Sequence, residues 1–349
     1  MRSNAIMVRT QRPRLVEVAR FAGVSPATVS RALTRPQLLS EATLARVSRA
    51  VDALGYVSDA SARTLASGRS GMVGAVVPTI HNAVFAQAIH HLQTGLAEGG
   101  LQLVLAAHEY NPALEAQAIR MLLTRGVDAL VLVGAERPRE TWDLLNRHRA
   151  RVFLTYTFHE DYDSIGFDNA KAGHLAARHL IDLGHRSIGF ISGPRRSNDR
   201  MALRLEGAAA AMAEAGLELP RALITEQDFS LSGGKLGAIQ LMGLAKPPTA
   251  ILASNDLLAA GALHELGERG LAVPRDVSVI GMENLDITGF TKPTLTSVQL
   301  PTEEIGRATA RHVLARLRGD DVERRVEFEV ALVLRHSTGA APDGGRARH

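Results

Sequence analysis

The 349-residue chain contains no cysteine. That excludes a disulfide framework and thiolate metal sites, and it fits a reducing cytoplasm. No apolar run approaches the roughly eighteen residues a membrane span requires. The opening MRSNAIMVRTQRPR lacks an apolar core of signal-peptide length, so the expected location is the cytoplasm. Catalytic signatures are missing as well: no Gly-x-Ser-x-Gly elbow, no Gly-x-x-x-x-Gly-Lys phosphate cradle and no Gly-x-Gly-x-x-Gly after the first strand. His81, His90 and His91 lack the spacing of a His-Glu-x-x-His zinc helix, so neither metal, cofactor nor enzymatic activity is expected. What remains is ordinary globular composition, 46% hydrophobic and 22% charged, long enough for two or three domains.

Residues 15 to 33 read LVEVARFAGVSPATVSRAL. Leu15, Val18, Ala19 and Ala22 recur at three- and four-residue intervals and make one apolar helical stripe, which Gly23 can end in a left-handed conformation. Ser25 suits the cap of a second helix and Pro26 its first position. On that helix Val29 and Leu33 face inward. Pro26, Ala27, Thr28, Ser30 and Arg31 remain outside with Ser25, short or basic enough to enter a major groove, with Arg31 the base reader and Thr28 and Ser30 suited to phosphates. A third helix is predicted from Glu41 to Leu54 behind Ser40, closing a helix-turn-helix headpiece. A merely packed helix pair would not need an outward face so free of acids.

Charge is distributed to match. Residues 1 to 70 hold eleven Arg against four acids, a net of +7, while the whole chain is +4, leaving −3 for residues 71 to 349. That is the footprint of a polyanion-binding end. A membrane-binding end would instead want one long basic amphipathic helix. The following SDASARTLASGRSG carries Arg63, Leu65 and Ala66. Composition leaves open a flexible linker or a short hinge helix, paired in a dimer, whose Leu65 wedges into the minor groove.

From Met72 the pattern alternates apolar strands with amphipathic helices. The strand segments are MVGAVVP, LQLVLAA, DALVLVG, RVFLTYT, SIGFISG, TAILAS and VSVIGM, beginning at residues 72, 101, 128, 151, 187, 249 and 277. Continuous apolar strands separated by helices mean parallel sheets covered on both faces. About 270 residues exceed one core, so two doubly wound lobes with a cleft are expected, their ligand groups just beyond the strand ends. Thr79, Ile80, Thr155, Arg195, Asn255, Asp256 and Glu283 occupy such positions, although Asn255-Asp256 also reads as a helix cap.

Together VSPATVSRAL, ASARTLASGRS, IGFDNAKAGHLAARHLIDLGHRSIGFISGP, ILASNDLLAAGAL and VIGMENLDITGFTKPTLTSVQLP resemble the lactose-repressor (LacI/GalR) family of bacterial transcription regulators, over residues 13 to 338. The resemblance implies a homodimer on a near-palindromic operator, with Arg63, Leu65 and Ala66 in the hinge. It also implies a core resembling periplasmic sugar-binding proteins, its lobes joined by three crossings expected near Phe167-Asp168, Ser297-Val298 and Gly319 to Asp321. Effector contacts carry over to Val84, Phe85, Arg204, Phe229, Asn255 and Glu283. Glu283 stands where an aspartate is usual and Thr155 where an acid is frequent, and Arg200 adds a second cation, so neutral sugars and sugar acids both remain open. The expected fold is therefore an all-α headpiece plus an α/β core of two parallel-sheet lobes. Its divisions are an arm at 1–13, a headpiece at 14–57, a hinge at 58–70, a core at 71–338 and a disordered tail at 339–349. Lobe helices such as the one from Asn82 to Glu98 can form a dimer face, and the tail lacks the leucine heptads of a tetramer. A sugar-binding transport protein would lack the basic headpiece, and a metabolic enzyme would need acid, base or nucleophile converging in the cleft.

Overall fold

The computed structural model describes residues 13–34, 36–56, 68–148 and 150–342. The expected contacts Arg63, Leu65 and Ala66, residues 1–12 of the arm and residues 343–349 lie outside the described residues. The chain divides into two compact units, Met1–Gly71 and Met72–His349.

In the first unit, α1 (Leu15–Ala22), α2 (Pro26–Thr34) and α3 (Glu41–Leu54) enclose Val18, Ala19, Ala22, Val29, Val47 and Ala50. Local chemistry sets their limits. The Arg14 amide donates to Glu17 Oε2 at 2.7 Å and opens α1. Gly23 ends it at φ 63°, a conformation that costs glycine little. The Thr28 amide donates to Ser25 Oγ at 3.1 Å, so Ser25 caps α2 and Pro26 takes its first turn. Ser40 precedes α3 in extended geometry, but its hydroxyl pairs with Thr43 Oγ1 at 3.0 Å instead of capping an amide.

The second unit holds two six-stranded sheets of matching order. The first runs β11-β5-β4-β3-β1-β2 and the second β12-β10-β9-β8-β6-β7. In the first lobe the strands are β1 (Met72–Val77), β2 (Gln102–Ala107), β3 (Ala129–Val133), β4 (Arg151–Thr155), β5 (Asp163–Gly166) and β11 (Arg325–Glu327). In the second they are β6 (Ile188–Ser192), β7 (Ile224–Glu226), β8 (Ala250–Ala253), β9 (Ser278–Glu283), β10 (Thr296–Gln299) and β12 (Ala331–Val333). Every pair is parallel except β10 with β12. Order reverses beside β1 and beside β6, and in such sheets the crevice beyond those strand ends receives ligands.

The covering helices are α4 (Ala83–Glu98), α5 (Pro112–Thr124), α6 (Arg139–Arg147), α7 (Asn169–Asp182), α8 (Asp199–Glu214), α9 (Leu231–Met242), α10 (Asp256–Glu268) and α11 (Thr302–Arg318). Two helix pairs touch backbone to backbone. A Cβ on Gly173 would stand 1.9 Å from the Arg204 carbonyl oxygen and one on Gly207 1.8 Å from that of Ala170, which locks α7 to α8. Gly234 and Gly261 do the same for α9 and α10, at 2.1 Å from Leu258 O and 2.0 Å from Leu231 O. The first pair fixes where the Arg204 side chain begins.

The chain passes between lobes three times, and two crossings differ from expectation. The first lies at Phe167-Asp168, between β5 and α7. Ser297-Val298 is inside β10, so the second crossing follows at Leu300-Pro301. Gly319 to Asp321 is no crossing: Gly319, at φ 95°, caps α11, and β11 then joins the first sheet beside β5. The third crossing lies between β11 and β12, at 328–330. Nor does the tail begin at 339, because the Gly339 amide donates to Ser278 Oγ and the Ala341 amide to Leu183 O at 2.8 Å. On α4 one side packs on α11, where Gly95 faces Ala310, and the side left open carries small and polar residues. Large exposed apolar groups of this lobe stand instead on β2 and α5, at Leu105, Leu114 and Met121.

Replacing Gly173 by Ala is expected to destabilise the protein by about 1–3 kcal/mol through overpacking. Gly267→Ala, with nothing within 4 Å of its Cβ, is expected to stabilise by up to about 1 kcal/mol. Urea unfolding of the two variants checks this, and equal midpoints would contradict the packing account.

Candidate effector cleft and nucleic-acid surface

In the headpiece, Ala27, Ser30 and Arg31 are exposed on one side of α2, while Val29 is fully buried on the other. The Thr28 hydroxyl is half-buried and bonds to Ser25 Oγ at 2.9 Å, so it serves the cap as well as the outer face. Ser25 and Pro26 are exposed at the start of the helix. The surface is therefore an exposed guanidinium among small side chains, with no acid on it.

In the core, an inner cavity of about 20 Å³, no larger than a water or two require, is lined by Asn82, Val84, Phe85, Tyr110, Tyr156, Asn198, Arg200, Met201, Arg204, Phe229 and Glu283. An outer chamber of about 310 Å³ adjoins it, sharing Asn82, Tyr110 and Phe229 and adding Thr79, His81, Glu109, Pro194, Asp228 and Leu257. That size is in the range of small-molecule sites. The Tyr110 and Phe229 rings, from opposite lobes, meet at 5.2 Å between the two spaces.

Backbone strain concentrates here. Glu109, Tyr110, Tyr156, Ser197, Glu283 and Asn284 are all the non-glycine residues with positive φ among the described residues, and all follow or end strands at the cleft. Each such residue costs on the order of 1–3 kcal/mol and persists where surrounding structure over-determines it. At Glu283, φ 112°, the strain turns a carboxyl inward, and the neighbouring Asn284 is held by Arg335 Nη2 at 2.7 Å.

The buried groups are electrostatically unusual. Arg204 donates Nε to Asn169 Oδ1 at 3.0 Å and Nη1 to Ser254 O at 2.7 Å, and burial pushes it down to about 10, so it stays charged. Burial, reinforced by Asp256, pushes Glu283 up to about 8. Asp256 lies behind it, pushed up to about 7 by burial although Ser297 and the Leu285 amide donate to it at 2.6 and 2.8 Å. Burial pushes His108 down to about 4, with Arg137 and Arg200 acting in the same sense. Asn198 Oδ1 and Glu283 Oε2 are buried with no hydrogen-bond partner. Asp199 reaches across the cleft: its Oδ2 accepts the Ala135 amide at 2.8 Å and the Thr157 hydroxyl at 3.0 Å, both in the first lobe.

Six of the eight expected effector residues come together here: Val84, Phe85, Arg200, Arg204, Phe229 and Glu283. Two do not. The Thr155 hydroxyl donates to Leu132 O at 3.2 Å inside the sheet, and it is Tyr156, one residue on, that faces the cavity. Asn255 is the cap of α10, with Oδ1 accepting the Leu258 amide at 2.9 Å. Arg195 pairs with Glu226 at 2.8 Å on the surface. Asn82, Tyr110, Tyr156, Asn198 and Met201 were missed, although the strand-end rule applied to LQLVLAA would have reached Tyr110. Among the described residues no cluster of His, Asp and Glu could hold a metal ion, and no helix is long and apolar enough to cross a membrane.

The periplasmic binding protein-like domain model matches residues 177–338 and that of bacterial regulatory proteins of the lacI family matches residues 14–59. The chain is 32% identical to the HTH-type transcriptional repressor PurR of Photobacterium profundum, covering 92% of this chain and 97% of that one. The chain belongs to the lacI family. Another member, the repressor CytR of Escherichia coli, is 31% identical over 93% of this chain and 96% of its own. Among solved structures, a lac repressor dimer bound to operator and an anti-inducer superposes with a TM-score of 0.82 at 25% identity, covering 95% of this chain and all of that one. Its relatives being repressors, this lacI-family chain is a DNA-binding transcription regulator with an effector domain, not an enzyme.

Glu283 and Asp256 bind protons more tightly folded than unfolded, so their contribution to stability is full below the ordinary carboxylate range and is lost as pH rises towards about 8. Glu283→Gln should therefore gain stability relative to the parent as pH rises from about 5 to about 8, by at most about 1.4 kcal/mol per pH unit. Urea unfolding across that window checks the slope, and a difference independent of pH would contradict it.

Proposed function

We propose that the chain is a homodimeric repressor whose paired headpieces bind a near-palindromic operator, and that a sugar-like metabolite in the cleft between the lobes sets operator affinity. The observation that carries this reading is the coexistence of an acid-free helix-turn-helix face with a separate, strained cleft holding unpartnered buried polar atoms. Arg31 reads a base edge, Ser25, Thr28 and Ser30 hold phosphates, and Pro26 and Ala27 approach the groove. Arg63, Leu65 and Ala66 are assigned to the minor groove between half-sites. Phe85 and Phe229 stack on the ring of the effector, while Arg204, Asn82 and Glu283 meet its hydroxyls. Leu105, Leu114 and Met121 supply an apolar face for the second subunit. Such a regulator acts with the nucleoid, in the bacterial cytoplasm.

Switching follows from linkage. A ligand preferring one arrangement of the lobes shifts the pair of arrangements, and coupling of about 1–3 kcal/mol changes operator affinity about 5- to 150-fold. An inducer and a corepressor satisfy the same physics. Fluorescence anisotropy with a fragment of its own promoter tests the DNA half. Arg31→Ala should weaken binding by about 1–3 kcal/mol and relax preference at one base pair. A salt-insensitive association, or a variant of unchanged affinity and specificity, would refute it. Arg204→Ala should lose the effector-dependent change in operator affinity, and a persisting response would place the effector elsewhere.

A further inference from the structure

The inner cavity is lopsided in charge. Arg200, Arg204 and the first turn of the sixteen-residue α8 converge on it, while Glu283 is its one acid. Arg200 is only 6% exposed, and its Nη1 donates to Asp199 Oδ1 at 3.2 Å. Asp199 is engaged through its other oxygen with Ala135 and Thr157, so Arg200 shares its carboxylate partner with the first lobe. Its Nε and Nη2 meet no acceptor among the described residues. The guanidinium lies against Gly134, where a Cβ would stand 2.1 Å from Arg200 Nη1 and 2.7 Å from Asp199 Oδ1. Asn198 Oδ1 and Glu283 Oε2, buried and unpartnered, line the same space.

A neutral polyol answers only part of this. Its hydroxyls can donate to Asn198 and exchange hydrogen bonds with Glu283, yet they leave the Nε–Nη2 edge of Arg200, which opens on the cavity, without the oxyanion its geometry matches. Resting on the reading of this cleft as the effector site, and on a parting of the lobes that enlarges an inner cavity now fit for a water or two, we propose that the effector is an acidic carbohydrate whose carboxylate or phosphate sits on the Nε–Nη2 edge of Arg200 while its hydroxyls meet Asn198 and Glu283. Asp199 offsets one of the two guanidinium charges, and because burial keeps Glu283 up near 8 the cavity still holds an excess positive charge near neutral pH, whose burial a ligand anion there would offset. Glu109 and Asp228 at the mouth are exposed and act through screened water.

Scanning fluorimetry and calorimetry on the full chain test this with matched sugars: D-glucose against D-glucuronate, D-gluconate and D-glucose 6-phosphate, D-galactose against D-galacturonate, and D-ribose against D-ribose 5-phosphate. At least one acid should raise the melting temperature and bind at least about tenfold tighter than its neutral partner. Arg200→Gln should erase most of that preference and Arg200→Lys, keeping charge without the fork, should retain part of it. A carboxylate hit and a phosphate hit distinguish the two anion sources. The proposal is overturned if the neutral sugar binds as tightly, if Arg200→Gln and Arg200→Lys both keep the parent's preference, or if no acid binds. A neutral sugar that binds and alters operator affinity would overturn the charge assignment and leave the regulatory reading standing. An acid that binds without altering operator affinity would instead sink the regulatory reading.

Discussion

One carboxylate spans the cleft. Asp199, at the head of α8 in the second lobe, accepts an amide and a hydroxyl from the first, and in doing so sets both the separation of the lobes and the position of Arg200 beside it. The three chain crossings permit motion, whereas this bridge and the Tyr110–Phe229 contact choose one arrangement. A ligand entering the inner cavity must deal with the same groups, since Arg200 belongs to the bridge as well as to the lining. Under the proposed reading of the cleft, binding and lobe geometry are coupled through shared atoms, which is the physical requirement for a two-state switch.

Around the bridge the protein accepts local cost. Left-handed backbone at Tyr110, Tyr156 and Glu283, together with carboxyls whose burial favours the protonated form, is unfavourable in isolation. The close helix contacts at Gly173 and Gly207, and at Gly234 and Gly261, supply the rigidity that keeps these groups in place. Stability is thus concentrated in the lobes and strain at their meeting edge, where function needs differential response.

How much was legible in the sequence depended on how local the determinant was. The headpiece was readable because its boundaries have nearby causes: Gly23 in its turn, Ser25 on Thr28 and Pro26 in the first turn of α2. Seven strands, β1 to β4, β6, β8 and β9, were readable from continuous hydrophobicity. The short strands β5, β7, β10, β11 and β12 carry three or four residues each and owe their state to neighbours in the sheet. The crossing placed near Gly319 to Asp321 came from the family resemblance, and in the structure Gly319 ends α11 instead. Thr155 and Tyr156 show the sharpest limit: adjacent residues leave a strand on opposite faces, and a left-handed turn that no pattern announces decides which one meets the cleft.

The central claim is that the cleft and the DNA surface are linked, and linkage is reciprocal. The most direct measurement is the affinity of the full-length protein for its cleft ligand, taken by calorimetry at fixed salt with and without saturating operator. The account predicts that operator changes ligand affinity by the same factor, about 5- to 150-fold, by which the ligand changes operator affinity. Ligand affinity that is identical in the presence and absence of operator would contradict it.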